Sequence, residues 1–211
     1  MIHELRTYTF HPGALPAYLK LVEEVGSKVR GDEYGKRVGS FVADTGWLNQ
    51  VWHIWEYESL DERARLRAEL ARNKAWMNEF VAEIVPLLQR QEIRFMNPVL
   101  PLKPPATTGN IYEFRVYRAR MGRLREWVAN ITDIMPEREK HSNNVCLWTV
   151  ESPEPNGVVH LWDYPGWDAR AAARGAALQD PAWQGFLGKA GPLLEEMYST
   201  IAYPAPFSPM Q

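Results

Sequence analysis

The sequence has a single cysteine in 211 residues, almost no excess of either charge, and no apolar run of membrane-spanning length. Each absence excludes something. Cys146 cannot close an intrachain disulfide or furnish a cysteine-based zinc site, which fits a reducing compartment. Its neighbours Val145, Leu147 and Trp148 place it in a buried strand, with no adjacent base to favour a thiolate. Lysine and arginine total 24 against 26 aspartates and glutamates, a formal net charge of −2. That leaves no basic footprint for nucleic acid. No stretch approaches the roughly 20 apolar residues of a membrane helix, and the opening MIHELRTYTF carries Glu4 and Arg6 inside its first apolar segment, unlike a secretory signal. A cytoplasmic protein is expected.

Catalytic and cofactor motifs are also scarce. The five histidines, at 3, 11, 53, 141 and 160, form neither His-Glu-x-x-His nor a short His-x-His pair, which argues against a zinc hydrolase, and no metal site is expected. There is no Gly-x-Gly-x-x-Gly, P-loop or Gly-x-Ser-x-Gly element. Bound dinucleotide, nucleoside triphosphate and serine-hydrolase chemistry are therefore not expected.

What the chain does have is a copy of itself. IHELRTYTF (2 to 10) matches IYEFRVYRA (111 to 119) at an offset of 109, which puts Glu4, Arg6 and Tyr8 on Glu113, Arg115 and Tyr117. The same offset carries Tyr18 onto Trp127 and Val22 onto Ile131. After a two-residue shortening the offset is 107, and VWHIWEY meets VVHLWDY, so His53, Trp55 and Tyr57 fall on His160, Trp162 and Tyr164. One further deletion makes it 106, which aligns Phe80 with Phe186. A match that preserves order through three offsets indicates tandem duplication. The division expected is a first repeat at 1–97, a proline-rich linker at 98–109, a second repeat at 110–204 and a tail at 205–211.

Alternation predicts strands near 2–10, 37–44, 50–57 and 90–97, and helical spacing runs from Leu15 to Val29. Ser59 with Glu62 predicts a helix start, as does Asp180-Pro181 in the second copy. The arginine run RARLRAELAR (63 to 72) reads as a solvated helix face. Each copy then has the order strand, helix, strand, strand, helical pair, strand, a ferredoxin-like plan. The fold expected is α+β: two ferredoxin-like repeats whose antiparallel sheets pack into one α/β barrel.

The runs ELRTYTFHPG, LNQVWHIWEYESLDER and PLLQRQE resemble the NIPSNAP family, within the dimeric α/β-barrel superfamily, and the likeness covers about 2 to 97. The second copy keeps Glu113, Arg115, Tyr117, His160, Trp162 and Tyr164 but has ESPEPNG where the first has TGWLNQ, and Gly166 in place of the capping serine. The resemblance implies two ferredoxin-like repeats with sheets facing each other around a cavity. It implies no catalytic residue set.

Side chains at i and i+2 share a strand face. Glu4, Arg6 and Tyr8, with His53, Trp55 and Tyr57, form one such face; the second copy repeats it, and both are expected to line the barrel interior while the opposite apolar faces cover the helices. The candidate catalytic residues are His53, Glu4, Arg6 and His160. Tyr8, Trp55, Tyr57, Glu113, Arg115, Tyr117, Trp162 and Tyr164 are candidate substrate contacts. Each has a plainer reading: the Glu–Arg pairs as buried ion pairs, the histidines as satisfied core rings, the aromatics as wall. In the sharper reading a histidine is the general base or acid, a glutamate orients it, and an arginine holds a developing enolate or carboxylate. That would suit a cofactor-independent isomerase, cyclase, lyase or monooxygenase acting on a carbonyl-bearing or aromatic metabolite. The first copy is favoured, because its turn keeps Trp47, Leu48 and Asn49. No cofactor is expected, with a haem ligated by His53 or His160 as the alternative. The competing class is a non-enzymatic interaction or ligand-carrier protein, which the resemblance permits. Sheet edges able to pair between chains point to a homodimer.

Overall fold

The computed structural model describes all 211 residues. The chain divides into two compact units, Met1–Met96 with Tyr203–Gln211, and Asn97–Ala202.

The first unit runs β1 (Ile2–Phe10), α1 (Leu15–Leu21), a π-helical turn (Val22–Gly26), α2 (Ser27–Arg30), β2 (Lys36–Ala43), β3 (Gln50–Tyr57), α3 (Leu60–Leu70), a second π-helical turn (Trp76–Val81), α4 (Ala82–Ile84) and β4 (Leu88–Pro98). β1 pairs antiparallel with both β3 and β4, and β3 pairs with β2, giving the ferredoxin-like order β4-β1-β3-β2. The second unit repeats this with β5 (Ile111–Ala119), α5 (Leu124–Arg138), β6 (Asn143–Ser152), β7 (Gly157–Tyr164), α6 (Trp167–Gln179), α7 (Pro181–Ala190) and β8 (Leu194–Pro204). Its order is β8-β5-β7-β6. The α+β, twice-ferredoxin-like reading therefore holds.

The helix starts follow from their caps. Ser59 Oγ accepts from the Glu62 amide at 3.1 Å, and the Glu62 carboxylate reaches one residue further back than a capping box requires, to the Glu58 amide. Asp180 accepts from the amides of Ala182 and Trp183 ahead of Pro181 at the first helical position. No helix is long and apolar enough to cross a membrane.

The proline-rich segment and the tail are each hydrogen-bonded to the unit they belong to. In the proline-rich segment, Val99 and Lys103 donate to the carbonyls of Leu147 and Val145, so it is bonded along β6. The tail closes on the first unit: Ala205 donates to the Ser40 carbonyl and the Ser40 amide to Ser208 Oγ. Cys146 is fully buried, its thiol pushed up to about 12 by burial.

The face carrying Glu4, Arg6, His53 and Trp55 packs on the helices of its own unit. His53 meets Tyr18 from α1, and Glu4 meets Arg63 from α3. This reverses the expected orientation. The reason is that both faces are buried: Leu5 and Ile54 on the opposite face are also fully covered, so apolarity does not tell which side the helices take.

Candidate functional site

In the first repeat the glutamate and both nitrogens of the histidine on this face have partners, while the Nε atoms of Arg30 and Arg37 have none. Glu4 is fully buried and accepts from Arg6 Nε and Arg63 Nε. Burial alone would raise its carboxyl, but Arg6 and Arg63 hold it below the usual carboxylate range. His53 is bonded at both nitrogens, Nδ1 to Ser40 Oγ at 2.8 Å and Nε2 to Tyr18 Oη at 2.7 Å. Phe207 from the tail stacks on its ring, 6.3 Å between centroids at 20°. Burial, then Arg37, Arg30 and Arg6, hold the imidazole well below its ordinary pKa. Arg30 lies 3.4 Å over the Trp55 ring and donates to Tyr57 Oη.

The second repeat has the same parts and a different outcome. Glu113 accepts from Arg170 (2.7 and 3.1 Å), Arg115 (3.0 Å) and Ser199 (2.7 Å), with Arg174 at 3.5 Å. Burial would raise this carboxyl too; its bonds to Arg170 and Ser199, with the charges of Arg115 and Arg174, bring it to about 2. Arg138 lies 4.7 Å over Trp162, matching Arg30 over Trp55. His160, however, has one partner. Trp162 Nε1 donates to its Nδ1 at 2.7 Å, and its buried Nε2 has none.

That bond fixes the tautomer. An indole nitrogen can only donate, so His160 Nδ1 is the acceptor and a neutral ring carries its hydrogen on Nε2. The ring is neutral, because burial and then Arg115 hold it well below its ordinary pKa. Beside it Trp127 Nε1, also a donor, is buried without a partner. Both rings line a cavity of about 180 Å³, together with Arg115, Tyr117, Arg138 and Arg174 and apolar side chains including Ile131, Trp183 and Phe186.

Two substitutions between the copies explain the difference. Tyr18 supplies a hydroxyl to His53; Trp127 at the matching position has none, and its ring sits 6.0 Å from His160. Ser40, which bonds His53 Nδ1, is matched by Leu147. The helices differ as well. Leu15 to Arg30 is one residue longer than Leu124 to Arg138, and Trp76 to Phe80 one longer than Trp183 to Phe186. Both extra residues fall in the π-turns of the first repeat. There Gly26 lets Phe80 approach so closely that a Cβ would lie 2.5 Å from its ring.

The structure thus brings Glu4, Arg6, Tyr8, His53, Trp55 and Tyr57 together in one repeat, and Glu113, Arg115, Tyr117, His160, Trp162 and Tyr164 in the other. Neither glutamate is hydrogen-bonded to its histidine; each binds arginines instead. The enclosed cavity of about 180 Å³ lies in the second repeat, whereas the first repeat has wider clefts of about 370 Å³ beside Arg37 and Phe207 and about 440 Å³ beside Tyr57. The first copy's turn does not point inward: Trp47 is 69% exposed and stacks with Arg90. The arginine run is also more than a solvated face. Arg65 and Glu69 pair in solvent, but Arg63 reaches Glu4, and half-buried Arg67 is pushed down to about 10 by burial and by Arg6 and Arg30. Arg170 and Arg174 repeat Arg63 and Arg67 at the 107 offset, the signal that could have marked all four.

A haem does not fit these histidines. His53 has no free nitrogen, His160 presents N–H rather than a lone pair, and the cavity is smaller than a porphyrin requires. No group of three or more His, Cys, Asp or Glu side chains is placed to hold a metal ion.

Comparison with known proteins agrees with this doubled plan. A NipSnap homolog of Dictyostelium discoideum is 27% identical over 209 residues, covering 96% of this chain and 87% of its own. The human NipSnap homolog 2 is 28% identical over 218 residues, covering all of this chain and 75% of its own. Among solved structures, a Fusobacterium nucleatum protein whose name suggests a monooxygenase covers 97% of this chain and 92% of its own, with a TM-score of 0.73 at 10% identity. At that identity the likeness shows the fold alone. The NIPSNAP family model matches twice, over residues 3–101 and 112–209, and the chain belongs to the NIPSNAP family.

Proposed function

We propose that the chain binds one small, mostly apolar metabolite on the helix side of its second repeat, and that the site polarises an oxygen of that ligand by hydrogen-bond donation. The observation that carries this reading is that His160, a residue of the cavity wall, has a buried and unpartnered Nε2, where the equivalent nitrogen of His53 is bonded. Buried polar atoms are almost always paired, so an unpaired N–H at a cavity is a place for a ligand acceptor.

The chemistry differs from a histidine–glutamate acid–base pair. Glu113 is ionised and held by arginines, and no carboxylate lines the cavity. A neutral imidazole N–H acts instead as an electrophile toward a carbonyl, stabilising the oxyanion of an enolate or phenolate as it forms. An anthrone oxidase-like protein shares the fold (TM-score 0.66, 14% identity over 96% of this chain). The aromatic walls favour an aromatic substrate as a second reading.

A fragment screen followed by methyl NMR on the full chain tests the site. The expected result is that binders shift Ile131, Leu187 and Ala190 and lose affinity in His160→Leu. Shifts confined to the first repeat, or affinity unchanged in His160→Leu, would overturn it.

A further inference from the structure

The polar groups of the second-repeat cavity are nearly all donors. His160 Nε2–H and Trp127 Nε1–H have no acceptor, and the guanidinium groups of Arg115, Arg138 and Arg174 stand around them. Arg138 is 5% exposed; it donates to Ser142 Oγ and lies over Trp162 and Trp183, but no carboxylate pairs with it. Glu113, the buried acid of this face, is already shared by Arg115, Arg170 and Arg174. A buried cation without a counter-charge is costly, and its natural complement is an anion brought by the ligand.

We infer that the ligand is a monocarboxylate on a compact apolar body, its two oxygens meeting the His160 and Trp127 N–H groups and the Arg138 side of the cavity. This rests on the second-repeat site proposed above and narrows its occupant. A carboxylate offers acceptors only and matches a planar guanidinium fork. Size sets the rest: a cavity of about 150 Å³ holds benzene, so about 180 Å³ accommodates one ring or a short branched chain beside the headgroup. The apolar side chains Ile131, Phe186 and Leu187 form the wall for that body.

Titration calorimetry of the full chain with benzoate, phenylacetate and isovalerate, each beside its uncharged primary amide, tests this. The amide keeps shape and one acceptor while removing the charge. The expected result is saturable binding of at least one acid, with its amide weaker by about tenfold or more. Arg138→Gln should bring the acid down to the level of the amide. Arg174→Gln, at a more exposed position, should weaken the acid in the same direction if Arg138→Gln fails to fold. Tyr18→Phe, in the first repeat, should leave the acid unchanged. An amide that binds as tightly as its acid would overturn the carboxylate assignment and leave the site standing. Failure of every acid and amide to bind at millimolar concentration would overturn both.

Discussion

The two repeats start from the same parts and finish differently. Each buries a glutamate among arginines and a histidine beside an arginine-capped tryptophan. In the first, a tyrosine, a serine and the tail phenylalanine complete the histidine's surroundings. In the second, tryptophan and leucine stand where the tyrosine and serine were, and an N–H is left over beside a cavity. Duplication has left one copy whose histidine is bonded at both nitrogens and one whose histidine keeps a nitrogen without a partner.

The ion clusters are where the copies are most alike, and disturbing them should have the largest effect. Glu113→Gln strands Arg115, Arg170 and Arg174 around a neutral amide and should cost about 3–5 kcal/mol in denaturant unfolding. Glu4→Gln should cost a similar amount; a loss below about 1 kcal/mol in either would show that the arginines are held by something else.

The histidines should separate the copies. His53→Leu leaves the Ser40 and Tyr18 hydroxyls without their partner and should cost about 1–3 kcal/mol. His160→Leu orphans one indole N–H that already borders a cavity, and should cost less than His53→Leu in the same measurement. Equal losses would erase the distinction.

Acid should act on both rings. Each folded imidazole has its pKa depressed by burial, so the unfolded chain takes up protons first. The stability they confer is complete above the unfolded value near 6.5 and falls below it, toward the folded pKa, by about 1.4 kcal/mol per pH unit per histidine. Glu113 adds its own loss only below its unfolded value of 4.5, down to about 2. Stability that is flat from pH 7 to 5 would mean that the rings are not buried neutral. The smallest effect expected is from Phe207→Ala, about 1 kcal/mol from the lost ring stack on His53, read as a small fall in thermal midpoint.

Much of this was legible in the chain. The offsets of 109, 107 and 106 aligned every strand, and with Ser59 and Asp180 they gave the ferredoxin-like plan. Strand alternation grouped Glu4 with Arg6 and His53 with Trp55, but it does not say which face meets the helices when both are buried. The shortening by two residues and then by one was visible as numbers; that one residue of each falls in a π-turn of the first repeat is a matter of helix hydrogen bonding, which has no residue signature here. Tyr18 against Trp127 was also visible. Its consequence was not, because it depends on a hydroxyl reaching 2.7 Å from a ring nitrogen. Arg63, Arg67, Arg170 and Arg174 were hidden by their setting among exposed charges.

The difference between the two imidazoles is measured most directly by long-range ¹H–¹⁵N NMR of the histidine rings. At pH 7 His160 should show an unprotonated Nδ1 and a protonated Nε2, and titration with a bound carboxylate should move the Nε2 resonance while leaving His53 in place. A His160 ring that carries its proton on Nδ1, or is charged at pH 7, would contradict the donor-lined site.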